Sequence, residues 1–220
     1  MMMTGDGTST AGFCSAGCTG TTLFCWTGTS VTPDCTQGDN EATLVGEAST
    51  GAGGITLADT SDNGNDYYSF ATDAFDIFPA GAFTLEMRIN LSVIGTNTQL
   101  LYIILPNGVG GNAVTIRIDA GKDILVTHIG AGTTEANTFN ANLNTSTQYD
   151  LVITADTATG MDVSIDGGAN WLGVPASSTI TTMDGTGSST GGVRIGNSLT
   201  ANAEGTITNI RIKSGYKTGY

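Results

Sequence analysis

Apolar and polar residues alternate along a series of short stretches in this chain. Phe83-Thr84-Leu85-Glu86-Met87-Arg88-Ile89 does so, and so does Ala113-Val114-Thr115-Ile116-Arg117-Ile118. Tyr149 to Ile153, Met161 to Ile165, Val193 to Ile195 and Thr206 to Ile212 follow the same rule. A period of two is the sign of a strand with one face in a core and one in water. Leu100 to Leu105 is continuously apolar, which suits a strand covered on both faces. Turn-forming residues separate the runs at Pro106-Asn107-Gly108, Ala120 to Asp123, Asp156 to Gly160 and Asp166-Gly167-Gly168. No helical period intervenes, so the pattern predicts an all-β chain, an antiparallel β-sandwich. Residues 176–192 read as a long polar connection or a weak edge strand. Residues 1–50 read as an irregular, Gly- and Thr-rich N-terminal arm, with Leu23, Phe24, Trp26 and Val31 as a small satellite core, ahead of a sandwich over 51–220.

Composition narrows the roles such a sandwich can take. Of 220 residues, 39% are apolar and only 12% charged, with 32 Gly and 37 Thr. Seven Lys and Arg against 20 Asp and Glu leave a formal charge of −13. The cations needed to release phosphate counterions are missing, which argues against nucleic acid as partner, and against docking on anionic membranes. No apolar run is long enough for a membrane helix. Met1-Met2-Met3 is followed by neither a basic stretch nor an apolar one, so a secretory signal is either already removed or not used, as in a virus particle released by lysis.

The order of the segments resembles the laminin-G-like, concanavalin A-like jelly-roll family over about residues 55–213. The matching pieces are Asn65-Asp66-Tyr67-Tyr68-Ser69-Phe70, Phe83 to Ile89, Tyr149 to Ile153, Val163 to Gly168, Val193 to Asn197, and the closing Gly205-Thr206-Ile207-Thr208-Asn209-Ile210-Arg211-Ile212. The resemblance implies two stacked antiparallel sheets, often a bound Ca²⁺, and binding of glycans or proteins. The family also includes glycan-cleaving enzymes, so function must be argued from side chains.

Catalytic sets are absent from the pattern. Retaining glycan hydrolysis needs two carboxyls about 5–5.5 Å apart, which such enzymes place on alternate residues of one strand. Here Glu86 is followed by Arg88, and the five glutamates stand apart. A lyase set would need an Arg-rich strand and a Gln beside the single His128; neither is present, although the tail carries Tyr216 and Lys217. No catalytic residue is assigned, and the expectation is a non-enzyme.

Binding chemistry has more candidates. Asp59, Ser61 and Asn63, with Gly64 for the turn, supply hard oxygen donors on one loop, and Asp66, Asp73 and Asp76 lie near, a pattern suited to Ca²⁺. The alternative is a solvated Asx-rich turn. Cys14, Cys18, Cys25 and Cys35 have spacings that suit two disulfides better than zinc, with three pairings open. Closing a loop of about 15 residues contributes about 3 kcal/mol by restricting the unfolded chain, and disulfides imply an oxidising exterior. Trp171, Tyr67 and Tyr102 are the candidates for stacking on sugar rings; the alternative for Trp171 is packing at a sandwich edge. Alternation places one of Tyr67 and Tyr68 in the core and the other outside. Asn90-Leu91-Ser92 and Asn144-Thr145-Ser146 match N-glycosylation acceptors.

The expected role is a non-enzymatic structural or binding module, extracellular or on a virion surface. The leading expectation is a phage or virus particle surface protein (capsid decoration or fibre subunit) or a filament subunit. It would assemble as a homo-oligomer or on the particle through its N-terminal arm, and the sandwich would fold without residues 1–50. The alternatives are a secreted glycan-binding lectin, with or without calcium, and a polysaccharide-cleaving enzyme on the same fold.

Overall fold

The computed structural model describes residues 14, 22–30, 32, 34–36, 42–58, 65–70, 83–95, 98–104, 113–130, 133–156, 160–173, 192–198 and 203–214. The ordered elements among them are strands. β1 (Thr22–Trp26), β2 (Cys35–Thr36), β3 (Ala42–Val45), β4 (Ser49–Gly51) and β5 (Gly54–Leu57) come first. β6 (Asn65–Phe70), β7 (Phe83–Ile94), β8 (Thr98–Ile104), β9 (Ala113–Ile118) and β10 (Ile124–Gly130) follow. β11 (Thr133–Phe139), β12 (Gln148–Asp156), β13 (Gly160–Ser164), β14 (Gly192–Ser198) and β15 (Ala203–Ser214) complete the chain. One sheet runs β13-β12-β7-β15-β1-β2, with β5 also on β15 and β4 on β5. The other runs β11-β10-β9-β8-β14-β6-β3. The pairings of these named strands are antiparallel, so the chain is an all-β sandwich of jelly-roll type, as the alternation predicts.

The core is the layer between the sheets. From the eight-stranded sheet it takes Phe24, Trp26, Leu85, Met87, Ile89, Leu151, Ile153, Ile207, Ile210 and Ile212. From the seven-stranded sheet come Tyr68, Val114, Ile116, Ile118, Val126 and Ile195. In each strand these are alternate residues, so their neighbours Thr84, Glu86, Thr115, Arg117 and Arg194 face away from the core. Trp26 meets Tyr68 edge to face at 5.2 Å between ring centres, tying β1 of one sheet to β6 of the other.

Strand β15 explains the spacing of its own isoleucines. Between the Thr208–Arg88 and Arg211–Glu86 pairs, two residues of β15 stand opposite one of β7. This bulge absorbs Asn209, at φ +54°, a left-handed conformation that Asn tolerates better than most side chains. The extra residue converts I-x-I to I-x-x-I without turning Ile207 or Ile210 out of the core. It also divides the far edge of β15: Gly205 to Ile207 pair with β5, and Ile210 to Lys213 with β1. At the strand's start Gly205 has φ +136°. A Cβ there would lie 2.3 Å from the Asn90 carbonyl oxygen and 2.6 Å from Leu91 Cα.

The described part of residues 1–50 is strand, contributed to both sheets: β1 and β2 to one, β3 to the other. The boundary expected after residue 50 falls inside β4. The irregular reading of this stretch misses these strands because Gly and Thr dilute the apolar alternation, while Phe24 and Trp26 (both at most 1% exposed) anchor β1 beneath it. The β9–β10 turn also departs from expectation in one detail. The left-handed residue is Lys122 (φ 65°), not Gly121, and Asp119 Oδ1 accepts the backbone N–H groups of Gly121 and Asp123.

Two outcomes follow from this architecture. Gly205→Ala is expected to destabilise the protein by at least about 3 kcal/mol in denaturant unfolding, from backbone strain plus the clash with β7. Deletion of residues 1–50 is expected to abolish the cooperative thermal transition in near-UV circular dichroism, because Phe24 and Trp26 leave the core. A sharp transition in the truncated chain would show that the remaining strands suffice.

Candidate functional site

The two outward faces of the sandwich differ in chemistry. On the eight-stranded sheet the charges are consumed internally. Glu86, 7% exposed, accepts from Arg211 Nε at 2.7 Å, from Arg211 Nη2, and from Lys213 Nζ at 2.9 Å. Arg88 forms a two-pronged pair with Asp150, at 2.6 and 3.2 Å. Cys25 lies in register with Arg211 on this face and is bonded to Cys14, so the disulfide holds residue 14 over this side of the sheet. Thr84, Thr154 and Ser164 are buried here as well. Glu86 and Asp150 are clamped by guanidinium or ammonium groups, while Asp162, at an outward position of the same sheet, accepts the Val163 N–H.

The outward face of the seven-stranded sheet is different. One register row runs Ser69, Arg194, Tyr102, Thr115, Thr127 across β6, β14, β8, β9 and β10. Tyr67 stands beside it, with the Arg194 guanidinium carbon 5.3 Å from its ring centre, a cation–π contact. Arg117 is two residues from Thr115 on the same face. Thr115 is 2% exposed although it faces away from the core, and among the described residues its Oγ1 has no hydrogen-bond partner. Arg117 Nε is likewise buried and unpartnered. A buried polar group left unpaired costs about 1–3 kcal/mol, and Thr154 Oγ1 on the outward face of the eight-stranded sheet is a third such atom among the described residues. No Asp or Glu occupies a described strand position on this face, in a chain of net charge −13. The Tyr67 ring, the Arg194 guanidinium and the Thr115 hydroxyl on one face are the kinds of group that contact a sugar.

The residues expected from the sequence are distributed unevenly. Tyr68 is in the core and Tyr67 on the opposite face. Tyr67 and the register position of Tyr102 fall on this one face. Trp171 does not join them: it is half-buried in the loop after β13, the edge strand of the other sheet. Of the calcium candidates, Asp59, Ser61 and Asn63 lie outside the described residues, as do Asp73 and Asp76. The backbone of Asp66 pairs with Asn197 in β6–β14. No group of three metal-ligating side chains exists among the described residues. Cys14 and Cys25 form a disulfide; Cys18 and the Cys35 side chain lie outside the description, although the Cys35 backbone pairs with Cys25. His128 occupies a β10 register position opposite Glu135 and Val114. Sequence reasoning overlooked Arg117, Arg194 and Thr115. Their outward parity was legible, but only strand order puts them on one face.

The Trp171 loop is organised by one carboxylate. Asp166 Oδ1 accepts from the Ser164 hydroxyl at 2.7 Å and the Asn170 backbone N–H at 2.8 Å, and Oδ2 accepts from the Asn170 amide at 2.6 Å. Gly167 (φ 77°) and Gly168 (φ 94°) allow the tight return, and the Leu172 N–H closes it on the Val163 carbonyl at 2.8 Å. Burial works to raise the Asp166 pKa, but the hydrogen bonds from Asn170, Ser164 and Ala169 outweigh it and hold it below 3.8. In Asp162, burial prevails over the Val163 N–H bond and the pKa is raised. A depressed carboxylate stabilises the fold above its unfolded pKa, and that contribution fades as pH falls through the folded value. Asp166→Ala is therefore expected to destabilise at pH 7, with the gap to the parent closing as pH falls through the lowered carboxylate value in urea titrations.

No protein-family model matches the sequence, and no curated protein does. Solved structures resemble the fold. Trypanosoma rangeli sialidase superposes with a TM-score of 0.61 at 16% identity, over 91% of this chain and 31% of that one. The binding domain of botulinum neurotoxin DC, in complex with rat synaptotagmin II, gives 0.60 at 12% identity, over 90% and 49%. The carbohydrate-binding module CBM40 of a Ruminococcus gnavus sialidase, bound to α2,3-sialyllactose, gives 0.50 at 9% identity, over 63% and 78%. The chain thus spans about a third of the sialidase and half of the toxin domain. At these identities the likeness establishes the β-sandwich fold.

Proposed function

We propose that this protein is a non-catalytic glycan-binding module that meets its ligand on the outward face of the seven-stranded sheet. The observation that carries the reading is Thr115: a hydroxyl buried on a face turned away from the core, without a partner among the described residues, in a row with Tyr102 and Arg194 and next to the Tyr67 ring. A carbohydrate-binding module and the binding domain of a neurotoxin share the fold, which supports a binding role. The engagement of Glu86 and Asp150 by Arg211, Lys213 and Arg88 supports a role without catalysis.

The Cys14–Cys25 disulfide supports a place in an oxidising exterior. A particle or filament surface is one such place, and the abundance of Thr and Gly beside few charges supports it as the setting for the same binding face. Calcium dependence is kept as a separate property of the Asp59–Asp66 segment.

The test is a glycan array with and without chelator. Specific binding to a subset of glycans is expected, and Tyr67→Ala is expected to weaken it by about tenfold, the loss of one stacking and cation–π contact. Binding removed by chelator would add calcium to the site. An array without hits would overturn the reading, and release of reducing ends from the bound glycans would convert it to an enzyme.

A further inference from the structure

Both sheets end on one side of the sandwich. Among the described residues β13 is the last strand of the eight-stranded sheet and β11 the last of the other. Asn137 of β11 donates through Nδ2 to Met161 Sδ of β13 at 3.9 Å, so the two edges lie one over the other. An edge strand presents N–H and C=O groups that template pairing with another chain. In an antiparallel ladder the polar groups of alternate residues point to opposite sides of the strand. The Val163 carbonyl accepts the Leu172 N–H from the loop after β13, at 2.8 Å, so Val163 points away from β12. Met161 shares that direction, while Gly160, Asp162 and Ser164 turn their polar groups toward their partners Asp156, Thr154 and Val152.

We infer that the β13 edge is a strand-addition surface for a second copy of this chain, held shut by the Asp162 side chain and by the loop that Asp166 organises. Both outward groups of Val163 are occupied. Its N–H donates to Asp162 Oδ1 at 2.9 Å, and its C=O accepts from Leu172. Asp162 leans over the strand edge to reach that N–H, although its own backbone pairs with Thr154 of β12. Burial there raises the Asp162 pKa against the effect of the Val163 bond, so its charged form is kept at the edge in spite of desolvation. The loop is anchored on the sheet: the Gly167 N–H donates to the Asp150 carbonyl of β12 at 2.8 Å, and the Gly168 N–H to Ser164 Oγ at 2.9 Å. Asp166 ties Ser164 to Asn170, and the chain then delivers Leu172 to the place that an added strand would fill. Symmetry identifies the partner as a copy of this chain. Antiparallel pairing about a two-fold axis at Asp162 sets Met161 opposite Val163 of the second copy, and the reverse. It also sets the two Asp162 carboxylates directly opposite each other, and like charges so placed are destabilising. One side chain thus caps the donor and repels the copy.

The experiment is sedimentation velocity on the full chain across a concentration series, with amide exchange read by mass spectrometry on the same samples. Leu172→Pro removes the N–H that reaches Val163, and Asp162→Ala removes the cap. The double variant is expected to associate at least about tenfold more tightly than the parent, with new protection at residues 160–164 that rises with concentration. Asp162→Asn removes the same charge but keeps an oxygen that accepts from Val163. Combined with Leu172→Pro it should therefore associate less than the Ala-containing pair, and the difference between the two reads the cap apart from the charge. Near-UV circular dichroism confirms that each variant is folded. Single variants keep the test open if the double variants do not fold: Asp162→Ala should speed exchange of the Val163 amide, followed by NMR, by at least about tenfold, and Asp162→Asn by less. A folded Ala-containing double variant that associates no more than the parent overturns the inference. So does new protection that lies outside residues 160–164, or Val163 exchange unchanged by Asp162→Ala. Equal association of the Ala- and Asn-containing pairs overturns the assignment of Asp162 as a cap.

Discussion

The constraint on which this structure depends is the register of β15. This strand lies between β7 and β1, and it must keep Ile207, Ile210 and Ile212 in the core while changing partners along one edge. A side-chain period of two cannot do this across an insertion, because a slip of one residue turns every following side chain to the other face. The bulge at Asn209 solves the problem: it takes up one residue, holds it in a left-handed conformation, and restores parity. Gly205 permits the close backbone approach at the strand's beginning. With β15 in register, Arg211 and Lys213 reach Glu86, Cys25 sits beside Arg211, and Trp26 is placed to meet Tyr68 across the sandwich.

The same alternation that builds the core divides the chemistry between the outward faces. One face neutralises its charges within itself, by bidentate and bridged pairs at partly buried positions where such contacts are stronger than in open water. The other carries Tyr67, Arg194, Arg117 and Thr115 with no acidic neighbour at a described strand position. A sandwich of this kind is stable without assigning any role to its second face, because the hydrophobic layer between the sheets supplies the driving force. The second face holds Thr115 Oγ1 and Arg117 Nε, and the outward face of the eight-stranded sheet holds Thr154 Oγ1, all buried polar atoms without a hydrogen-bond partner among the described residues. Function on such a fold follows from residues displayed by rigid strands.

Much of the architecture was legible in the sequence because a strand half in water writes its own parity. The runs at Phe83, Ala113, Tyr149, Met161, Val193 and Thr206 all became strands. The turn at Ala120 to Asp123 formed where Gly and Asp required it, although Lys122 took the left-handed position. Where parity was diluted, the signal failed: β1 to β4 hid among Gly and Thr, and β11 among Thr, Glu and Asn. Alternation placed one of Tyr67 and Tyr68 in the core and the other outside, and the structure puts Tyr68 in the core.

The sequence alone determined which side of its strand each residue occupies, since that depends only on near neighbours and the two-residue period. It also determined that the chain is acidic and that cations are scarce. The tertiary structure decided which of those sides come together. Arg117, Thr115, Tyr102, Arg194 and Tyr67 come from four strands separated by up to about 130 positions along the chain. Their meeting on one face follows from the order β9-β8-β14-β6, a consequence of long-range pairing that no local pattern encodes.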